Sequence, residues 1–588
     1  MEHVLSYDTE TTGMRFYDER PAKMFAYSTG DTEGRTAVYR LDGSALRQRR
    51  NAAHLEDLMS GKYRLVMHNS KFDITATNKY LGKHLEDSLQ FHDTFIQSHL
   101  LQNDHPTHRL KEVARELAGV PVDDERDIKS FLRGGADYSQ VPEAKMNAYQ
   151  HGDAFRTILL HEFFYPKIAS NPKLLDVYEA ELNAIRVTIK MERRGFHLNK
   201  RRCRALVEKL RVDAETAKQR LNHELGTTIN PNSPPQVIWA LYHFAKLPVL
   251  KRTKTKIPST DKDVLFQLRQ LHPHPILDLI LQYRSYSRGV GILEGYLGYA
   301  DSEGIIHSNL KTCAAITGRQ SSAEPNIHNV SKTTTLLTPF PIPAREVFTP
   351  RPGFFNTHID YAGEELRLLV HYAQERELVE LINRNGDPHD LAAQIFYEDR
   401  YLNAVGDEKK TLRGSAKNTN FAIPYGASLK QVAATLGLPL EVARRRLLNY
   451  ETRFPRLCKL TDSISKMVER DGGVTTVFGR FLRVPRETAY VGTNYLIQGT
   501  AAEILKRAQW RIYNVLQKET GGAAQLIMTI HDEVIIEWPR EMLPDLVPVM
   551  RKVREVMIDF PEFSVPLEIE ASLATKHWAA KREINLNA

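Results

Sequence analysis

Cysteine is scarce in this chain: Cys203, Cys313 and Cys458 are the only three in 588 residues. No pair has CxxC spacing, so a disulfide framework and a thiolate zinc site are both excluded, leaving buried, reduced thiols as the expectation. Long hydrophobic runs are missing as well. No apolar stretch approaches the roughly 18 residues that a membrane span requires. The N-terminus, MEHVLSYDTE, meets acidic residues at once and lacks the basic-then-apolar character of a secretion signal. There is no internal repeat and no low-complexity tail. These absences predict a cytoplasmic chain without a membrane partner. Its length exceeds what one hydrophobic core supports, so two to four domains are expected.

What is present begins with charge. The formal net charge is +8 and the sequence pI about 9.0, which suits a polyanionic partner. Basic residues cluster at Arg47, Arg49 and Arg50, at KRTKTK (251–256) and at Arg444 to Arg446. Each cluster alone is more often a solvated face than a binding site, but together they make nucleic acid the leading partner.

Along residues 1–165, apolar runs near Val4–Tyr7, Phe25–Ser28, Ala37–Tyr39 and Leu65–Met67 predict short strands. Helical periods follow over Lys71–Tyr80, Leu110–Ala118 and Pro142–Phe164, giving an α/β unit. The chain then reads as mostly helical to about Thr338, with exposed loops between Asn230 and Thr260. The Pro-rich run Thr338–Gly353 is expected to be a non-helical connector. A strand, FFNTHIDY, and a long helical region to about Arg470 come next. A helix over Leu496–Val515 and a hairpin, QLIMTIHDEVIIEW, close the pattern.

Carboxylates stand at chosen places on these elements. Asp8 and Glu10 are two apart on a strand and so share a face. Asp73 lies where a strand gives way to a helix. Tyr149 and Asp153 are an i, i+4 pair on a helix. Four such acids could hold two Mg²⁺ or Mn²⁺ ions, which activate water and neutralise the oxyanion leaving a phosphodiester, with Tyr149 orienting the water. Each piece alone is commonplace. In this order, DTETTG, NSKFD and YQHGD resemble the three motifs of DEDDy-type 3′→5′ exonucleases, and FHDTFIQSHLL followed by HRLKEVARELAG resembles the stretch between the last two. Asp93 within it is expected to be structural.

A second set lies near the C-terminus. Asp360 ends a strand, and Asp532 and Glu533 occupy a hairpin turn. In LRGSAKNTNFAIPYG, Arg413, Lys417, Phe421 and Tyr425 recur every four residues along one helical stripe. The cationic half suits a triphosphate, helped by the helix-end dipole. The aromatic half suits stacking on a base and sugar. DYAGEELRLL, this stripe and IHDEVIIEWP resemble motifs A, B and C of family A DNA polymerases, the group of bacterial DNA polymerase I and many phage replicases. TGRQSSAEPNIHN, NYLIQGTAAEILKRA, GDPHDLAAQIF and GGVTTVFGR fit the same family.

The resemblance implies a fold and a set of roles. The fold is an α/β, ribonuclease H-like exonuclease domain (1–168) followed by a right-hand polymerase domain (169–588). Thumb would span about 180–300, palm about 301–365 and 485–588, and fingers about 366–484. By the match Asp360 and Asp532 bind two Mg²⁺ ions with Glu533 beside them. Arg413, Lys417, Phe421, Tyr425 and His389 bind the incoming nucleotide, and Glu365 excludes a ribose 2′-hydroxyl. Arg319, Asn494, Gln498 and His531 contact DNA near the primer end, where minor-groove acceptors report pair shape. Lys254 and Arg284 of the thumb are expected on the duplex backbone. Partners implied are primer–template DNA and dNTPs, with a helicase, single-strand-binding protein or processivity factor beyond them. The enzyme is expected to be monomeric, in a bacterial cytoplasm or a phage-infected cell, with no 5′-nuclease domain in this polypeptide.

The chain departs from the family pattern in places. Ala362, Gly363 and Glu364 stand where DYSQIELR is common, His328 replaces a Gln, and Ala422 replaces a Gly. Pro424 lacks an N–H and should kink or loosen the end of the motif B helix, re-aiming Tyr425. Phe421 in place of Tyr implies discrimination against dideoxynucleotides. The competing reading is a dedicated 3′→5′ exonuclease with a nucleic-acid-binding C-terminal half; it leaves the Arg413–Tyr425 stripe unexplained.

Overall fold

The computed structural model describes residues 3–133, 137–330 and 340–586. The N-terminal sheet has five strands, β1 (Val4–Thr11), β2 (Met24–Gly30), β3 (Thr36–Arg40), β4 (Arg64–Met67) and β5 (Phe91–Asp93). Their spatial order is β3-β2-β1-β4-β5. β1 runs antiparallel to β2 and parallel to β4, so it is the central strand, paired with β4 over Val4–Ser6 and with β2 over Ser6–Thr11. Helix Glu143–Ala169 packs across β1 and β2, pinned where Ser6 Oγ donates to the Ala154 carbonyl at 2.7 Å. That crossing sets Tyr149 and Asp153 against the acids of β1. The four expected strands and three expected helices are present. Helices Ala45–Leu58, Thr94–Leu101 and Asp123–Leu132 add to them.

The second sheet is wholly antiparallel, in the order Gln525–Ile530, Glu533–Pro539, Phe354–Tyr361, Ile569–Ala574, Lys581–Glu583. Phe354–Tyr361 is central and pairs Asp360 directly with Glu533, so both side chains leave one face. Helix Gly492–Thr520 and helix Pro172–Arg194 pack behind it. Helices between Glu364 and Asp471 form the region between its first two strands in sequence. Helices Lys200–Leu225 and Pro275–Tyr299 pack together, and beyond their crossing lies a separate small core of Leu221, Val237, Leu241, Val264, Ile276 and Ile280.

Several expectations need correction. Residues 230–260 are not all loop: Pro234–Ile238 is a helix that widens into a π turn over Trp239–Phe244. In the Pro-rich connector Ala344–Glu346 makes one 3₁₀ turn directly after Pro343, a place where proline's missing N–H costs nothing; Thr338 and Pro339 lie outside the described residues. Some members of the basic clusters are paired within the chain. Arg47 pairs with Asp42 and Glu143 at 3.1 and 3.0 Å, Arg446 pairs with Glu398, and Lys251 with Asp261 at 3.0 Å. Lys254 remains exposed on its loop.

The two halves are joined by buried polar contacts. Lys71 donates to Asn309 Oδ1 (2.8 Å) and to the Leu310 carbonyl (2.9 Å). Asn103 accepts from the Arg483 N–H at 2.9 Å. Within the C-terminal half, Glu181 takes Lys506 Nζ at 2.6 and 2.8 Å and also Arg480, while Arg480 reaches Glu503 at 3.2 Å. Lys506 further donates to the Gly318 carbonyl at 2.7 Å, beside Arg319. No helix among the described residues is long and apolar enough to cross a membrane.

Candidate active sites: two carboxylate centres

In the N-terminal domain Asp8, Glu10 and Asp153 bring carboxylate oxygens within 4.8 Å of one another. Asp73 is held against β1 by the Thr9 N–H (2.9 Å) and the Thr9 hydroxyl (2.7 Å), both donating to its Oδ1. Burial pushes all four carboxyls up, Glu10 and Asp73 to about 8; neighbouring acids add to it at Asp8 and Glu10, while Lys111 and Arg156 pull against it at Asp153. For Asp73, the two bonds from Thr9 pull against burial without overcoming it. Such crowding of acids is relieved by a divalent cation, so the donor set fits the ions that the sequence implied. The Tyr149 hydroxyl titrates well above its ordinary range because of burial and the nearby Asp153 and Glu10, so it remains a donor. Asp93 is structural: it caps helix Thr94–Leu101 and accepts from the backbone of Asn69 and Ser70.

In the C-terminal domain a cluster forms around Glu364. Its side chain is 6% exposed, its Oε1 has no hydrogen-bond partner among the described residues, and Asp532, Arg319, Glu365 and Asp360 all act on its charge. Residues from three separate sequence segments therefore meet here. Arg319 Nη2 pairs with Glu365 Oε1 at 3.2 Å, and burial followed by Glu365 raises the Tyr425 hydroxyl. Asp532 sits in the two-residue hairpin loop, after His531, which holds the left-handed conformation (φ 58°) that such tight turns use.

Glu533 lies opposite Asp360 and has a hydrogen-bond network of its own. It is the first residue of its strand, and its carboxylate accepts from His358 (2.8 Å), Trp578 Nε1 (3.4 Å) and Lys581. Burial works against ionisation, yet His358 and Lys581 together hold Glu533 down at about 2. It is a fixed anion engaged with its own strand partners rather than an acid free to join Asp532.

The motif B stripe is also modified. The α-helix ends at Ala422, and Ile423–Tyr425 form a 3₁₀ turn, so Tyr425 leaves the line of Arg413, Lys417 and Phe421. Pro424 tightens the chain instead of loosening it. Because the helix begins at Gly406, Arg413 is seven residues in, too deep to use the helix-end dipole. Its guanidinium Nε lies 3.0 Å from both Asp387 and Asp390. Lys417 is exposed, 6.0 Å from the centre of the Phe421 ring, and the His389 ring lies 5.5 Å from the same ring. Asn494 and Gln498 are bonded to each other at 2.7 Å. Arg284 lies away from this group and donates to the Pro231 and Thr260 carbonyls (2.7 and 2.6 Å), so two of its donors brace a loop. Sequence reading missed Glu364, His358 and Lys581 as neighbours of the acids, and Lys111 in the N-terminal centre.

Glu364 carries a stability prediction. Burial, then Asp532, raises its folded pKa well above the ordinary 4.5. A raised acid stabilises the fold fully below the unfolded value and loses that contribution as pH rises toward the folded value. Glu364→Ile, the residue common at this place in the family pattern, should therefore stabilise the protein by about 1–3 kcal/mol at pH 8, and by less at pH 5. Urea unfolding in chelator at both pH values measures this; an equal gain at the two would contradict it.

An exonuclease-type α/β domain joined to a thumb, palm and fingers domain with its own acids is the build of a nucleotide polymerase carrying an editing nuclease. The description "DNA polymerase family A" matches residues 200–580, and "3′-5′ exonuclease" matches residues 1–169. The chain belongs to DNA polymerase family A. DNA polymerase I of Pseudomonas aeruginosa is 27% identical over 97% of this chain and 63% of its own length. The thermostable DNA polymerase I of Thermus filiformis is 31% identical over 73% of this chain and 52% of its own. The chain thus spans about half to two thirds of such relatives. The POL domain of Pol1 from M. smegmatis, solved with DNA primer-template and dNTP, shares the fold with a TM-score of 0.81 at 22% identity, covering 98% of this chain and 96% of that one.

Proposed function

We propose that this chain is a template-directed DNA polymerase that adds dNTPs to a primer 3′-hydroxyl and edits with a 3′→5′ exonuclease. The observation that carries the reading is the gathering of Asp360, Asp532, Arg319 and Glu365 around one buried position, with Tyr425 beside Glu365. No dedicated exonuclease needs that second centre. The division is taken as 1–168 for the exonuclease and 169–588 for the polymerase, with thumb, palm and fingers as expected from the sequence.

Asp360 and Asp532 would hold Mg²⁺ at the polymerase centre, and Asp8, Glu10, Asp73 and Asp153 would hold it at the nuclease. When bound, such ions supply the charge that activates a hydroxyl or water and offsets the leaving oxyanion. The protein's residues do the rest. Lys417, and Arg413 once exchanged from Asp387 and Asp390, meet the triphosphate. Glu365 crowds the sugar against a 2′-hydroxyl, while Arg319, Asn494, Gln498 and His531 sense the shape of the terminal pair. Lys254 meets the duplex backbone from its exposed loop. Tyr149 donates to the attacking water in the nuclease. Fit alone discriminates by roughly ten- to two-hundredfold, so a second site that removes frayed ends raises accuracy.

The test is an end-labelled primer–template with Mg²⁺. Extension with dNTPs and shortening without them is expected; shortening alone in both would favour the dedicated exonuclease. A finer outcome concerns Phe421. Phe421→Tyr adds a hydroxyl where dideoxynucleotides lack one, and should raise dideoxynucleotide use relative to dNTPs by at least about tenfold. Chain-termination ratios unchanged by the substitution would remove this role.

A further inference from the structure

Lys111 has no part in the roles assigned above, yet it enters the N-terminal centre. It is the second residue of helix Leu110–Ala118, which is fixed to helix Glu143–Ala169 by a small core of Val113, Ala114, Leu160 and Phe164. That packing drives the Lys111 side chain inward, where it is 8% exposed. Its ammonium lies 3.1 Å from Asp153 Oδ2, 3.9 Å from Asp124 Oδ2 and 3.3 Å from the centre of the Tyr149 ring. The other Asp153 oxygen takes Arg156 Nη1 at 3.0 Å. Lys111 also lines an open cleft of about 500 Å³, whose wall carries Arg109 and Arg115 beside Glu112, Glu116 and Glu125.

A lysine this buried costs free energy unless its charge is used. One plain account is an ion pair that only holds two helices together. The placement argues for more. The same ammonium touches the ring expected to orient water and the carboxylate expected to hold a cation, and a cation over an aromatic face fixes that ring's position. We propose that Lys111 is a positioning residue of the exonuclease reaction, holding the Tyr149 ring and the Asp153 carboxylate in fixed relation and competing with divalent ions for the acids. The inference rests on the exonuclease reading.

Two consequences separate this role from a structural one. Losing the ammonium should misplace the water without weakening the hold on the strand, so turnover falls and KM does not. It should also remove a competing positive charge, so divalent ions bind more tightly; a structural collapse would make them bind more weakly.

The experiment uses the full chain carrying Asp532→Ala, so that the polymerase centre contributes less to metal binding, with Lys111→Met and Lys111→Arg added. On an end-labelled single strand, Lys111→Met should lower kcat by about tenfold to a hundredfold with KM within about twofold. Calorimetric titration with Mn²⁺ should show severalfold tighter binding in Lys111→Met, and Lys111→Arg should recover most of both properties. A kcat within about twofold of the parent overturns the proposal, as does weaker Mn²⁺ binding together with a lowered Tm in both variants. If the parent itself fails to shorten the strand, the exonuclease reading falls, while the Mn²⁺ comparison still decides whether Lys111 competes for the acids.

Discussion

Replacing Asp360 with alanine should reduce primer extension by at least about a thousandfold, while the same protein still shortens a labelled single strand at nearly the parent rate. Asp360 ends the central strand of the antiparallel sheet, paired in register with Glu533. That strand cannot move to bring another acid into place. Glu533 offers no substitute, because His358, Trp578 and Lys581 already engage its carboxylate. Glu364 is close in charge but buried, its Oε1 without a hydrogen-bond partner among the described residues, and burial favours its neutral form. The nuclease acids stand in a separate α/β unit, on β1, helix Ser70–Leu81 and helix Glu143–Ala169, so the two substitutions should act independently. Asp8→Ala should give the reverse result, losing shortening and keeping extension. Gel assays of both variants, with and without dNTPs, measure the pair. Loss of both activities in Asp360→Ala, with an unchanged Tm, would break the assignment of separate centres.

Local pattern carried the elements that hold the acids. The strand around Asp8 and Glu10 and the helix of Tyr149 and Asp153 have strong periods, and the hairpin around Asp532 is two apolar runs with a tight turn. Elements without such patterns went unread. β5 has three residues, and helix Ala45–Leu58 is so polar that its arginines stand out as a cluster, of which Arg47 is paired within the domain while Arg49 and Arg50 are exposed. Proline gave the place and the re-aiming of Tyr425, but a missing N–H does not say whether the turn tightens or opens. Most of what sequence could not reach is tertiary charge balance. Nothing near Glu533 foretells Lys581, and nothing in HRLKEVARELAG says that Lys111 points toward Tyr149. The Arg413 pairing with Asp387 and Asp390 joins two recognised motifs, yet only the packing of their helices reveals it.

The largest stability effect is expected far from both sets of catalytic acids, at Glu181. Its side chain is 1% exposed and faces two buried cations, Lys506 and Arg480, of which the first also holds the Gly318 carbonyl. Burial alone would raise this carboxyl, but Lys506 and then Arg480 outweigh it and hold Glu181 down at about 2. Glu181→Ala leaves both cations in the interior with half their compensation gone. Breaking a buried pair in this way costs about 3–5 kcal/mol. Glu181→Gln should recover little, since an amide cannot balance two charges. A depressed acid stabilises the fold above its unfolded pKa, near 4.5, and the contribution drains as pH falls toward about 2. The parent and Glu181→Ala should therefore converge in stability through that window when unfolding is followed by urea titration. Because Lys506 also fixes the carbonyl next to Arg319, the variant should lose extension at temperatures where the nuclease domain still works. A variant as stable as the parent at pH 7 would mean that the network is replaceable, and that Arg319 is held by the Glu365 pair alone.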